Sequence, residues 1–211
     1  LSGVGWSKKI KTLLQIPLAL IHAGILLLRY RPSAVMGIGG YSSGPLVLMA
    51  SFFCPTMILE QNSVPGLTNR MLARFVNRIF CTFPGTERQF PKDKALVVGN
   101  PIRSYLKPMP SAPRRPFTIF IFGGSQGAVG INTLVLEALP RLIELWPQLR
   151  IIHQTGERDY DRVREAHTRM GSPAHVEKFI FDMKVAYQAA SLLICRAGSS
   201  TLAEISAVGR A

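Results

Sequence analysis

Residues Phe117 to Gly127 read Phe-Thr-Ile-Phe-Ile-Phe-Gly-Gly-Ser-Gln-Gly, a β-branched and aromatic run that stops abruptly in glycines. Apolar residues then recur at Ile131, Leu134, Val135, Ala138, Leu142 and Ile143, the spacing of one helix face. Strand, tight turn and helix in that order build a parallel sheet covered by helices. The turn of such a unit lies at the carboxyl end of the strand, where the free amides opening the helix favour an anion. Gly123, Gly124 and Gly127 let the backbone close in on a phosphate, and the Ser125 hydroxyl can donate to it. The same residues also make a plain strand-to-helix turn, and the stretch by itself leaves both readings open.

The unit recurs on both sides. Ala34–Met36 reads as a strand, Gly37–Pro45 as its glycine turn and Leu46–Phe53 as its helix. Thr56–Leu59 is a buried strand ending in Glu60-Gln61-Asn62, Leu67–Val76 is helical, and short strands follow at 79–83 and 96–98. Lys107–Pro116 holds four prolines and two arginines, which neither a helix nor a central strand accommodates, so it is expected to be a linker. Beyond it come strand Leu149–His153, helix Asp159–Met170, strand Val176–Phe179, helix Met183–Ala190 capped by Asp182, and strand Leu192–Cys195. Pro140 is expected to kink or end the helix that contains it. The expectation is an α/β chain of two doubly wound, Rossmann-like domains with a cleft between them, residues 1–106 and 117–211, joined by the linker 107–116.

Charge is uneven. Of the net +13, the part up to Leu106 carries 12 basic residues against 3 acids, and the remainder 13 against 9. Such an excess favours an anionic partner, be it nucleic acid, acidic lipid or a phosphorylated substrate. Nucleic acid is disfavoured, because basic residues are not interleaved with aromatics. Residues 1–31 contain no acid, and Lys8, Lys9, Lys11, Arg29 and Arg31 flank the apolar run Leu13–Leu28. That run is shorter than the ~20 residues a spanning helix needs. It reads as a helix with one face on the core and another at a membrane surface, or as a wholly buried helix. Cys54, Cys81 and Cys195 lie far apart without metal-ligand spacing and read as reduced core thiols.

After Cys195 the chain continues Arg196-Ala197-Gly198-Ser199-Ser200-Thr201-Leu202-Ala203-Glu204, again a strand end opening a helix. Thr201 and Glu204 have capping-box spacing, in which Glu204 bonds a free backbone amide. Alternatively the helix start holds a diphosphate and Glu204 accepts from ribose hydroxyls. Asp159-Tyr160-Asp161 has the spacing of a metal-binding Asp-x-Asp motif but opens a helix away from the glycine turns, and reads as a cap.

Five motifs in order, Gly39-Gly40-Tyr41-x-Ser43-Gly44-Pro45, Glu60-Gln61-Asn62, Gly99-Asn100-Pro101-x-Arg103, Gly123-Gly124-Ser125-Gln126-Gly127 and Arg196-x-Gly198 through Glu204, resemble those of the MurG family. These are bacterial glycosyltransferases that move N-acetylglucosamine from UDP-N-acetylglucosamine onto lipid I, forming lipid II for peptidoglycan. The resemblance covers essentially the whole chain and implies the two-domain GT-B fold. It implies donor contacts at Asn62, Arg103, Ser125, Ile180, Ser199, Ser200, Thr201, Leu202, Ala203 and Glu204. Among these, Ser125 would face the diphosphate, the Ile180 backbone would read the uracil and Glu204 would hold the ribose. The loop of Gly39, Gly40, Tyr41, Ser43 and Gly44 would hold the acceptor diphosphate. An inverting transfer with no cofactor and no metal is implied, at the cytoplasmic face of the plasma membrane, where the basic apolar opening stretch meets anionic lipid. The family's glycine-rich opening loop, which bears the histidine proposed as base, and its later Gln-rich sugar loop are not among these residues. The chain is therefore expected to be an internal fragment, inactive alone, and no base is assigned within it. A glycolipid synthase or a UDP-sugar epimerase of the same fold would share Glu204 and the phosphate turn, but not the Gly-Gly-Tyr and Glu-Gln-Asn motifs.

Overall fold

A computed structural model describes residues 6–113 and 115–210, with side chains described from residue 16 onward. Lys8, Lys9 and Lys11 thus lie outside the described side chains. Contacts divide the chain into two compact units, Leu1–Asn100 and Pro101–Ala211.

Unit 1 runs α1 (Trp6–Tyr30), β1 (Val35–Gly37), α2 (Ser43–Ala50), β2 (Thr56–Glu60), α3 (Leu67–Leu72), β3 (Arg78–Cys81) and β4 (Ala95–Val97). Its strands are parallel and lie in the order β1-β2-β3-β4. The core gathers Val47, Ile58, Leu72, Val76, Ile79 and Phe90, so the apolar run of β2 is buried because a strand flanks it on each side. Several boundaries differ from expectation, two of them for an identifiable physical reason. The second helix starts at Ser43 rather than Leu46, which places Pro45 in the first turn, where its missing N–H costs nothing. The third stops at Leu72 rather than Val76, because the chain must turn to deliver Asn77, whose Oδ1 accepts the Thr56 amide at 2.8 Å.

Among its described side chains, helix α1 buries Ala23 and Leu27 and leaves Leu18, Ile21, Ile25 and Leu28 exposed. A wholly buried helix is therefore not what this stretch forms. No described helix is long and apolar enough to cross a membrane.

Unit 2 runs β5 (Thr118–Phe122), α4 (Val129–Leu145), β6 (Arg150–Gln154), α5 (Tyr160–Arg169), β7 (Ala174–Glu177), α6 (Met183–Ala189), β8 (Leu192–Cys195) and α7 (Ser199–Val208). The parallel sheet has the order β7-β6-β5-β8, so the winding reverses at β5. Every residue of β5 is buried, and alternate side chains serve opposite faces. Phe120 and Phe122 join Leu106, Met183 and Tyr187, whereas Ile119 and Ile121 join Val135, Leu139, Ile151 and Val163.

Two expectations about prolines need correction. Pro140 does not end α4, which continues to Leu145. The stretch 107–116 is not a free linker: the Met109 amide donates to the Val208 carbonyl at 3.1 Å, Arg210 donates to the Pro110 carbonyl at 2.6 Å, and Leu106 is buried in the unit 2 core. Proline density excludes helix and inner strand, but it does not prevent an extended segment from packing on a sheet's helices. The boundary accordingly falls at Asn100/Pro101 rather than after Leu106.

Candidate functional site

In unit 1, β1 leads into Gly39 and Gly40, whose φ of 91° and 81° place them in the left-handed region that glycine enters without strain. The Ser43 hydroxyl is shared between the carbonyls of Gly39, at 2.9 Å, and Gly40, at 3.1 Å. That hydroxyl therefore shapes the loop, and the first-turn amides of α2 have no intrahelical acceptor. Tyr41 is exposed, and a Cβ on Gly44 would meet Thr68 at 3.2 Å. Beside this loop β2 ends at Glu60, which is 1% exposed. Its Oε1 accepts the Asn62 amide at 2.9 Å and Asn62 Nδ2 at 3.1 Å, while Oε2 accepts the Gly66 amide at 3.0 Å and Asn69 Nδ2 at 2.9 Å. Asn62, an exposed residue, thus bonds its own loop through its backbone N–H and its side-chain Nδ2. A cleft of about 320 Å³ is lined by Ile38–Tyr41, Leu59–Asn62 and Gly66–Asn69. Asn69 Oδ1, buried and without a partner among the described residues, belongs to that lining. Sequence reasoning passed Asn69 over, since an asparagine inside an apolar helix signals only a solvated position.

In unit 2, β5 and β8 are adjacent and in register, with Phe122 opposite Cys195. Their two following turns therefore open side by side where the winding reverses, the crevice in which open α/β sheets bind ligands. The Gly127 amide donates to the Gly124 carbonyl at 2.9 Å, closing a turn with Ser125 and Gln126 at its exposed tip. Gly127 has φ 72°, and a Cβ there would fall onto the Thr155 carbonyl. The glycine is thus demanded by the β6 end as well as by the turn. Gln154, the buried last residue of β6, ties two expected ligand segments together: Nε2 donates to the Gly124 carbonyl at 3.0 Å and Oε1 accepts the Ile180 amide at 2.8 Å. With that amide engaged, the backbone group Ile180 can still offer a base is its carbonyl. Gln154 was missed as well; its one signal is an amide side chain at the carboxyl end of an apolar strand.

Helix α7 is capped by Gly198, so Thr201 stands within the first turn and the capping box does not form. The side chains of Ser199, Ser200 and Thr201 make no cap bond, and the helix start presents its backbone amides. Glu204 instead accepts from Arg103 Nη1 on Oε1 at 3.0 Å and from the Tyr187 hydroxyl on Oε2 at 3.1 Å. Leu202 and Ala203 lie between these groups on α7. Arg103, Ser125, Ile180 and the segment Ser199–Glu204 all belong to unit 2, whereas Asn62 belongs to unit 1.

Behind the glycine turn lies a buried polar chain. His153 Nε2 meets Asn132 Oδ1 at 3.0 Å, His153 Nδ1 meets His167 Nε2 at 3.2 Å, and His167 Nδ1 meets Ser172 Oγ at 3.0 Å. Asn132 Nδ2 donates to Asp159 Oδ2 at 2.7 Å, which turns its Oδ1 toward His153 and makes Nε2 the protonated nitrogen. Burial pushes the His153 pKa down to about 4 and lowers that of His167 too. Asp159 stands at the cap position of α5 but makes no cap bond; its carboxylate is taken by Arg162 and Asn132, and the Arg162 hydrogen bond holds its pKa below the usual carboxylate range. Fully buried and bonded at both nitrogens, His153 has no path to a substrate hydroxyl.

Two parallel units, each with glycine turns and helix starts at the carboxyl ends of its strands, place the chain among the Rossmann-like α/β proteins. Sequence profiles make the family specific: "Glycosyltransferase family 28 N-terminal domain" matches residues 2–81 and "Glycosyltransferase family 28 C-terminal domain" matches residues 118–211. The chain belongs to glycosyltransferase family 28.

A relative from Syntrophus aciditrophicus (strain SB), named UDP-N-acetylglucosamine--N-acetylmuramyl-(pentapeptide) pyrophosphoryl-undecaprenol N-acetylglucosamine transferase, is 46% identical over 100% of this chain and 60% of its own length. A relative of the same name from Myxococcus xanthus (strain DK1622) is 42% identical over 100% of this chain and 56% of its own. The chain thus spans little more than half of the relatives it matches. Among solved structures, Acinetobacter baumannii MurG has a TM-score of 0.62 at 32% identity, covering 91% of this chain and 55% of that one. A UDP-GlcNAc 2-epimerase from Neisseria meningitidis has a TM-score of 0.56 over 85% of this chain and 58% of its own, but at 12% identity it shares the fold alone.

Proposed function

We propose that this chain supplies the acceptor-side and donor-side cores of an inverting transferase that moves N-acetylglucosamine from UDP-N-acetylglucosamine onto lipid I. The observation that carries the reading is the Glu204 carboxylate, 12% exposed and held at the β5/β8 reversal between Arg103 and Tyr187, with acceptor positions still free. An acidic side chain beside a helix start that binds diphosphate is the arrangement that recognises ribose in dinucleotide folds. The Ser125 turn and the amides of Ser199–Thr201 then stabilise the charge that develops on departing UDP, a task fixed dipoles perform without reorganisation. In unit 1 the Gly39–Gly44 loop faces the acceptor's diphosphate, with Asn62 at the same cleft. The acceptor hydroxyl attacks the anomeric carbon, the bond to UDP breaks, and the hydroxyl proton goes to a general base to which no residue is assigned.

Replacing Glu204 by Gln tests the reading. UDP affinity of the full-length protein, measured by calorimetry, should fall by about 2–4 kcal/mol, the worth of two charge-assisted hydrogen bonds. Unaltered affinity overturns the ribose assignment.

The exposed apolar face of α1 at Ile21, Ile25 and Leu28 also supports attachment to an anionic membrane. An apolar groove of about 780 Å³, lined by Ile16, Leu20, Leu48, Met71, Phe75 and two arginines, lies in the same unit. Each of Lys8, Lys9 and Lys11 adds about 1 kcal/mol of attraction to an anionic leaflet. Changing all three to glutamine should release the protein from anionic vesicles in flotation, and equal flotation before and after refutes the attachment.

A further inference from the structure

We propose that Tyr187 is a positioning residue for nucleotide recognition: its buried hydroxyl fixes the Glu204 carboxylate in the orientation that accepts both hydroxyls of a ribose. The inference rests on the assignment of Glu204 to ribose made above and adds a second residue to it. Tyr187 lies on α6 with no exposed surface. Its ring is held edge-on by two strand residues, Phe120 with centroids 5.9 Å apart and Phe122 at 6.2 Å. A side chain packed in this way keeps one rotamer, so its hydroxyl is a fixed point.

The partner of that hydroxyl is Glu204 Oε2, at 3.1 Å. A glutamate's terminal torsion is broad, so an unrestrained carboxylate offers its oxygens in many planes. A vicinal diol needs both oxygens in one plane. Here each oxygen carries one donor, Tyr187 on Oε2 and Arg103 on Oε1, which pins the plane and leaves lone pairs on both oxygens free. The two donors are not equivalent. The Arg103 side chain is 46% exposed and is free to turn toward a phosphate, whereas Tyr187 has nowhere to go. Burial, reinforced by the neighbouring carboxylate, pushes the Tyr187 phenol above its ordinary pKa, so it stays a donor at every physiological pH.

Selectivity for ribose over 2′-deoxyribose is the readout, because a merely structural tyrosine would leave it alone. The unaltered full-length protein should bind UDP on the order of tenfold or more tighter than 2′-deoxy-UDP, the worth of one hydrogen bond to a charged group. Tyr187→Phe removes one oxygen and keeps the ring. It should shrink that ratio to a few-fold and change it no further in a Glu204→Gln background. An undiminished ratio in Y187F, or a further loss on top of E204Q, overturns the proposal while leaving the ribose assignment intact. No preference in the unaltered protein overturns that assignment and the proposal with it. Should Y187F fail to fold, labelled tyrosine in the unaltered protein decides: the Tyr187 ring resonances should shift with UDP but not with 2′,3′-dideoxy-UDP, and equal responses refute the role.

Discussion

The two sheets use the same parallel unit and differ in winding. Among the described strands those of unit 1 follow the order β1-β2-β3-β4 without a reversal, whereas in unit 2 the order β7-β6-β5-β8 reverses at β5. Helices that cross on opposite sides of a sheet leave a crevice at such a reversal. Their carboxylates differ accordingly. Glu60 ends a strand in the unreversed sheet and accepts four N–H groups within its own unit's loop and helix. Glu204 sits at the reversal with two donors and retains open lone pairs. A saturated carboxylate holds structure, while an unsaturated one beside a crevice is available to a ligand.

The largest expected effect sharpens this contrast. Glu60→Ala removes the acceptor of four N–H groups, leaving Asn69 Nδ2 with its bond to the Leu59 carbonyl alone, and should cost about 3–5 kcal/mol of unit 1 stability. Chemical denaturation measures it, and a loss below about 1 kcal/mol would mean that Glu60 is not the hub its contacts describe. A smaller pair of changes compares the glycine turns. Gly127→Ala combines a left-handed backbone with collision against the Thr155 carbonyl and should cost about 3 kcal/mol. Gly40→Ala, at φ 81° but with nothing near its missing Cβ, should cost about 1 kcal/mol. Equal losses in melting experiments would place the strain in the backbone alone.

Acid should weaken unit 2 through its imidazole pair. Above about pH 6.5 His153 is neutral folded and unfolded; as pH falls toward about 4 the unfolded chain takes up a proton that the buried ring refuses. Stability contributed by the neutral ring is therefore full above this window and lost across it, by about 2–3 kcal/mol, with His167 acting in the same direction. His153→Gln should flatten the dependence; a slope that survives the change belongs to other groups. The smallest effect is that of Arg103→Ala. Its ion pair is half in solvent, so stability should drop by less than about 1 kcal/mol while UDP binding weakens measurably, and the opposite ordering would make Arg103 a structural residue.

Much of this was legible beforehand because it is local. Helix α6 with its Asp182 cap, which accepts the Val185 amide at 3.1 Å, and the strand Leu192–Cys195 follow from short-range chemistry. Boundaries failed where a distant contact decided them, as at Asn77 beyond α3 and the proline-rich stretch that docks against Val208 and Arg210. Two of the missed residues, Gln154 and Tyr187, act through partners 26 and 17 positions away, separations that no window of sequence contains.

By itself the sequence determined the alternation of strand, glycine turn and helix, the parallel sheets that alternation builds and the residues that carry the family resemblance, because periodicity and turn chemistry act within a few residues. Tertiary structure alone decided which polar groups meet. Thr201 and Glu204 have the spacing of a capping box, yet Gly198 took the cap and Glu204 turned to Arg103 and Tyr187, 101 and 17 residues away along the chain. A buried carboxylate takes whichever strong donors the packed sheet brings to it, and the strand order that brings them is a property of the whole unit.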